Sequence, residues 1–293
     1  MVDDRDIREI LIHNINVRFR LANVESLLAY QILLFLILRI SRKHLIRDND
    51  AFLKFESAMD LSRQFADWAY RDNVPSKTSM KSAMEVLNRT GILMFEQQIF
   101  DDNQIELIGL IKKRHLWCCI DLKEIRDSFA PFSYNMVRHE YFESHLLSQI
   151  DRLNIQVASY LEQKPKENTK DKQKLIVSAN SYQLGLRLIF EVQLSDFNSK
   201  EIINYDDGTT SKISRKGFLF ESYEHFSKNF SYYFKHLELA NSSISGNLDK
   251  LHEIGFIHVS WEEPSDFIEN VNAIIKTNKP QLYIELFLDV PED

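Results

Sequence analysis

Apolar positions in this chain recur mostly three and four residues apart, and short apolar runs between turn residues break that rhythm. Residues 4–13 read as a short amphipathic helix. Leu27 to Leu38 is apolar on every side apart from Gln31, which predicts a buried helix over 23–41, started by Asn23 or Ser26 and ended near Arg39 and Arg42. Leu61, Phe65 and Trp68 share one face of a helix capped by Asp60 and running to about Tyr70. Asn73-Val74-Pro75-Ser76 is a turn, because proline cannot continue a helix. Ser76 or Thr78 caps the next helix, which runs to Thr90 with Met80, Ala83, Met84 and Leu87 inward, and Gly91 supplies its left-handed end. Ile92–Phe100 and Gln104–Ile111 flank Asp101-Asp102-Asn103 as a hairpin, Leu116–Ile120 adds a strand, and a helix covers 134–161.

Residues 162–175 are polar and charged with no apolar period, so they read as a linker. Beyond them the pattern predicts a helix over 180–196 and a hairpin around Asp206-Asp207-Gly208. An aromatic helix over 217–237 follows, with Tyr223, Phe226, Phe230, Tyr233 and Leu237 at helical spacing. A helix capped by Asn241 or Ser242 then closes at Gly255. A strand at Phe256–Trp261, a helix at 265–276 and a strand at 281–290 complete the chain. One segment occurs twice: SMKSAMEVLNRTGIL from Ser79 returns 164 positions later as SISGNLDKLHEIGFI from Ser243. Each copy is an amphipathic helix, a glycine stop and an apolar strand. The expected organisation is a first module at 1–125, a helical connector and charged linker at 126–175, and a second module at 176–293.

Charge separates the two halves. Residues 1–200 carry 28 Lys and Arg against 27 Asp and Glu, while residues 201–293 carry 8 against 16. The back third therefore repels phosphate backbones, whereas the front can hold a local basic patch. The adjacent Cys118 and Cys119 are unsuited to an ordinary disulfide, which points to a reducing, cytoplasmic setting. The opening residues carry no signal-peptide pattern, and the apolar run at 27–38 is too short for a bilayer span of roughly 20 residues, so no membrane association is expected.

Seven glycines, at 91, 109, 185, 208, 217, 246 and 255, build neither GxGxxG nor a P-loop. His139 and His145 lie six apart and do not share a helix face, and His225 and His236 stand about 16 Å apart along an axis. His252 and His258 straddle the Gly255 stop without ligand companions. No nucleophile elbow is present. The chain is read as non-enzymatic, with no cofactor and no metal.

Helix, helix, turn, helix, glycine and hairpin resembles the winged-helix fold, and VLNRTGIL at 86–93 looks like the usual passage from its third helix into the wing. The fold class expected is mainly α with small β-hairpins (α+β), as two winged-helix-like modules joined by helices. Tandem modules of this kind resemble plasmid replication initiators, transcription regulators and the winged-helix accessory subunits of condensin-like (SMC-type) complexes. The first group implies double-stranded DNA in the major groove on the third helix. The outward residues there are Thr78, Lys81, Ser82, Glu85 and Arg89, with Ser76 and Lys77 at the helix start, Gln97 and Gln98 in the wing, and Lys112, Lys113 and Arg114 after it. In the second copy Lys81 becomes Ser245, Glu85 becomes Asp249 and Arg89 becomes Glu253, so Asp249 and Glu253 face outward and favour a protein contact.

The expectation is a nucleoid-associated homodimer that binds DNA through its first module in replication initiation or transcription control. A dimer would reach successive half-sites one turn apart. The alternative is an acidic interaction subunit of a condensin-like complex acting on chromosomes or in plasmid defence. The plain alternative for either helix face is a solvated surface.

Overall fold

A computed structural model describes residues 26–40, 45–46, 50–91, 93–95, 116–121, 147–162, 177–192, 199–204, 210–220, 222–229, 241–262 and 280–289. The chain divides into two compact units, Met1–Ser144 and His145–Asp293. Among the described residues are seven helices and two four-stranded antiparallel sheets, so the protein is helix-rich α+β.

In the first unit, Ser26 Oγ accepts the Ala29 N–H at 3.3 Å and starts α1 (Leu27–Leu38). Ala29 through Ile37 are all buried, which is why the helix needs no polar face. β1 (Leu45–Ile46) and β2 (Asp50–Phe55) follow. β2 was not expected, for a physical reason. Ala51, Phe52, Leu53 and Phe55 are all buried, so both faces of the strand are covered and the alternation that marks a half-exposed strand is missing.

Ser57, not Asp60, caps α2 (Ala58–Trp68), accepting the Asp60 N–H at 3.1 Å. Asp60 instead reaches back to the Glu56 N–H at 3.0 Å and takes a hydrogen bond from Gln64. The Gln64 bond lowers its pKa below the usual carboxylate value. α2 ends with Tyr70 in the left-handed region (φ 52°), and Arg71 N–H returns to the Ala66 carbonyl at 3.0 Å. Ser76 caps α3 (Lys77–Arg89), accepting the Ser79 N–H at 3.1 Å. β3 (Leu93–Phe95) pairs with β4 (Leu116–Asp121), in the order β1-β2-β4-β3. The expected hairpin partner of β3, 104–111, lies outside the described residues. Cys118 and Cys119 are both buried and free.

The second unit opens with α4 (Leu147–Glu162) and α5 (Ala179–Val192), which pack together. Leu147–Glu162 falls within this unit, and the division lies between Ser144 and His145. The fully buried Tyr182 hydroxyl donates to Asn154 Oδ1 at 2.6 Å, fixing α5 on α4. Gly185 lets them close, since a Cβ there would stand 3.1 Å from Leu153.

β5 (Ser199–Asn204) and β6 (Thr210–Phe220) form the expected hairpin, but β6 continues through 217–220, where a helix was expected. Those residues pair with β8 from Gly217↔Glu285 to Phe220↔Leu282. The helix, α6 (Tyr223–Asn229), begins only after Ser222, whose Oγ accepts the His225 N–H at 3.1 Å. Phe230, Tyr233 and Leu237 lie outside the described residues. α7 (Asn241–Glu253), β7 (Ile257–Glu262) and β8 (Gln281–Asp289) complete the order β5-β6-β8-β7.

The two units repeat one another well beyond the segment first noticed. α3 and α7 correspond residue for residue from Lys77/Asn241 to Arg89/Glu253. Gly91 and Gly255 follow at φ 70° and 75°. Phe55-Glu56-Ser57 ending β2 matches Phe220-Glu221-Ser222 ending β6, and both serines cap the following helix. Ser26, Tyr30 and Gln31 of the first unit match Ser178, Tyr182 and Gln183, again with both serines as caps and both tyrosines fully buried.

The sheets agree in register too. Phe55↔Leu116 and Leu93↔Ile120 stand four residues apart on β4, and Phe220↔Leu282 and Ile257↔Leu286 stand four apart on β8. Cys118 therefore occupies the position of the buried Ile284, and it serves as core.

Two glycines on or beside α7 test this account. Gly246 is exposed, and a Cβ there meets nothing within 4 Å. Gly246→Ala is expected to stabilise by about 0.5–1 kcal/mol, the usual helix-interior difference. Gly255→Ala meets only Gln156 Oε1 at 3.6 Å, so its cost is conformational, about 1–2 kcal/mol. Urea denaturation of both variants reads the opposite signs.

Candidate nucleic-acid interface

α3 is amphipathic because its apolar residues fall on one side. Met80, Ala83 and Leu87 are buried against α1 and the sheet, and Met84 is half-buried. The opposite side is solvent. Ser76, Lys77, Thr78, Lys81, Ser82, Glu85 and Arg89 are all exposed. Thr78, Lys81, Ser82, Glu85 and Arg89 step by three and four, so they form one stripe. Lys81 to Arg89 spans about 12 Å of axis, comparable to the width of a major groove.

Lys81 Nζ stands 3.8 Å from Glu85 in an exposed pair of the kind that adds only about 0.3–0.5 kcal/mol, so the lysine is readily diverted. Among the described residues, Lys77 and Arg89 have no acidic partner. Ser76 Oγ is engaged by the Ser79 N–H and hydroxyl, at 3.1 and 2.9 Å, so its role in the fold is the cap. Gln97, Gln98, Lys112, Lys113 and Arg114 lie outside the described residues, so they are not brought to this stripe or away from it.

The corresponding face of α7 has different chemistry. Asp249 is exposed and accepts the Ser245 hydroxyl at 3.2 Å. Glu253 is drawn into the unit's own packing. Tyr160 on α4 donates to its Oε1 at 2.5 Å, and Lys250 Nζ pairs with its other oxygen while donating to Tyr160 at 2.9 Å. Lys250 also lies 4.9 Å over the Tyr160 ring. Both carboxylates expected to face outward are exposed, and Glu253 also helps fix α7 to α4. Burial works against the Lys250 ammonium, but its bonds to Glu253 and Tyr160 outweigh that and raise its pKa. Burial, then the Glu253 bond, raise that of Tyr160.

His252 and His258, which sequence left apart, come together with ring centroids 5.2 Å apart. His252 Nδ1 accepts the Val259 N–H at 3.1 Å, which places its neutral-form proton on Nε2. Among the described residues, no three His, Cys, Asp or Glu side chains are grouped to hold a metal ion. Burial pushes the Cys118 thiol well above its usual pKa, so it is not a poised nucleophile. Among the described residues, no helix is long and apolar enough to cross a membrane.

Sequence reasoning missed Tyr160, Lys250, Tyr223 and Trp261. The only signal for the first two was an aromatic and a cation on separate helices. Trp261 was visible as a large aromatic at the end of a strand, and 48% of it is exposed. No protein-family model matches the chain, and no curated protein or solved structure is significantly similar to it.

The Tyr160–Lys250–Glu253 cluster has a pH signature. A lysine whose folded pKa lies above 10.5 stabilises fully below that value and loses the contribution as pH rises through the folded one. The stability difference between the native protein and Lys250→Gln is expected to hold steady from neutral pH to about 10 and then shrink. Urea midpoints across that range measure it.

Proposed function

We propose that the protein is a non-enzymatic, double-stranded-DNA-binding protein that reads or grips DNA with α3 of its first unit. Each unit is taken as a winged-helix module. The order of three helices, a left-handed glycine and two adjacent strands supports that reading in both units, and the shared strand register strengthens it. The observation that carries the function is the exposed stripe on α3, where Lys77, Lys81 and Arg89 stand beside the hydroxyls of Thr78 and Ser82. Lysine and arginine on such a stripe neutralise phosphates, and serine, threonine and arginine donate to backbone oxygens or base edges. A cytoplasmic, nucleoid-associated homodimer, acting in replication initiation or transcription control, is the setting proposed. Cofactor and metal play no part in it.

A second reading has its own observation. α7 carries Ser245, Asp249 and Glu253 where α3 carries Lys81, Glu85 and Arg89. Both cations are thus lost, one of them to a carboxylate, while the acidic position is kept, which disfavours DNA on the second unit and favours an interaction subunit of the condensin-like type.

Fluorescence anisotropy of a labelled duplex against salt concentration separates the two. Lys81→Glu with Arg89→Glu is expected to weaken binding and to reduce the slope of log K against log salt by about 0.9 for each phosphate that is no longer neutralised. Both side chains are exposed, so stability is expected to change by less than about 0.5 kcal/mol. Unchanged affinity and slope contradict the DNA reading.

A further inference from the structure

Tyr223 at the start of α6 and Trp261 near the end of β7 meet edge to face, with centroids 5.5 Å apart and planes at 89°. Trp261 is 48% exposed, although Tyr160, Tyr182, Phe220, Phe226 and Phe256 are buried. Beside them, Ser245 Oγ lies 3.3 Å from the Tyr223 hydroxyl and 3.2 Å from Asp249 Oδ2. Ser245 is the donor to both, so its one hydroxyl proton is shared between the Tyr223 oxygen and the Asp249 carboxylate. The Ser245 hydroxyl lies against the carboxylate on the exposed side of α7, and among the described residues Asp249 has no cationic partner. The result is a corner of two aromatic rings with a fixed negative charge at its edge.

The geometry points to this corner as the docking site for an arginine or lysine side chain from a basic segment of a partner protein. Two perpendicular rings present an electron-rich face to a cation, and a nearby carboxylate adds a charge-assisted hydrogen bond. Residues 201–293 carry 16 acidic against 8 basic side chains, so the field around the corner draws in a basic partner. The same field disfavours the other ligand that stacks on exposed tryptophan, single-stranded nucleic acid, whose phosphates meet Asp249.

The corner is particular to the second unit. The first unit has Ala58 in place of Tyr223, Lys81 in place of Ser245 and Glu85 in place of Asp249. The inference does not depend on DNA binding by α3, because no residue is shared between the two faces.

The test uses the full chain and a fluorescein-labelled peptide of alternating arginine and glycine, read by anisotropy. Saturable binding is expected, weakened about tenfold by Trp261→Ala, weakened by Asp249→Asn, and largely kept by Trp261→Phe. Thermal melting of each variant confirms that it folds, and the phenylalanine variant separates a lost ring from a lost fold. A matching peptide of glutamate and glycine is expected not to bind. Lys81→Glu with Arg89→Glu is expected to leave peptide binding intact, whatever it does to DNA. Absent saturable binding, or equal affinity in Trp261→Ala and the native protein, overturns the proposal. So does tighter binding of an oligothymidylate than of the basic peptide through Trp261.

Discussion

Each unit depends on one left-handed turn. Gly91 at φ 70° and Gly255 at φ 75° reverse the chain from the third helix directly into a strand at the sheet edge. Because that strand is locked in register against the central strand, the rotation of the helix about its own axis is set. Leu87 and Leu251, four residues before the glycines, must then face inward, and both are fully buried. Truncating a leucine so placed typically costs about 2–5 kcal/mol, so the orientation is strongly held. Everything outward on α3 and α7 is outward as a consequence. The chemistry of these two faces is thus free to change while the turn and the buried side remain.

The two units use that freedom differently. Their skeletons share serine caps on two helices, a buried tyrosine, a phenylalanine at the end of the strand before the second capped helix, and the same pairing across three strands. Their surfaces do not agree. α3 offers cations and hydroxyls to solvent. α7 ties the exposed Glu253 to Tyr160 and Lys250, and sets Asp249 beside an aromatic corner. Even the cores differ in detail. Phe35 packs with Phe55, Phe65 and Trp68 in the first unit, while the matching residue in the second is Arg187 and Phe220 turns to Phe226 instead.

The legible parts of the chain were those with one wet face. α3 and α7 showed their buried stripes, their glycine stops and their divergent outward residues in sequence, because amphipathic helices write their environment into a period. Strands covered on both sides did not. Asp50–Phe55 lacks alternation because Ala51, Phe52, Leu53 and Phe55 are all buried. The last turn of β6 was mistaken for helix because Phe218 and Phe220 run on into the helical spacing of Tyr223 and Phe226. The Phe-Glu-Ser and Ser-to-Tyr-Gln matches were also in the sequence, but each is short and the loops between them differ in length, so no single offset aligns all three blocks. The contacts of Ser245 with Tyr223 and of Tyr223 with Trp261 join separate elements and have no linear signature.

Equivalent positions in the two units give the most direct test. Ser82 and Gly246 occupy the same place on α3 and α7, and both are exposed. A benzophenone amino acid placed at each in turn, and irradiated with duplex DNA, reports which helix face lies against the nucleic acid. The account predicts a DNA adduct from position 82 and none from position 246. Equal adducts from both, or an adduct from position 246 alone, would contradict it.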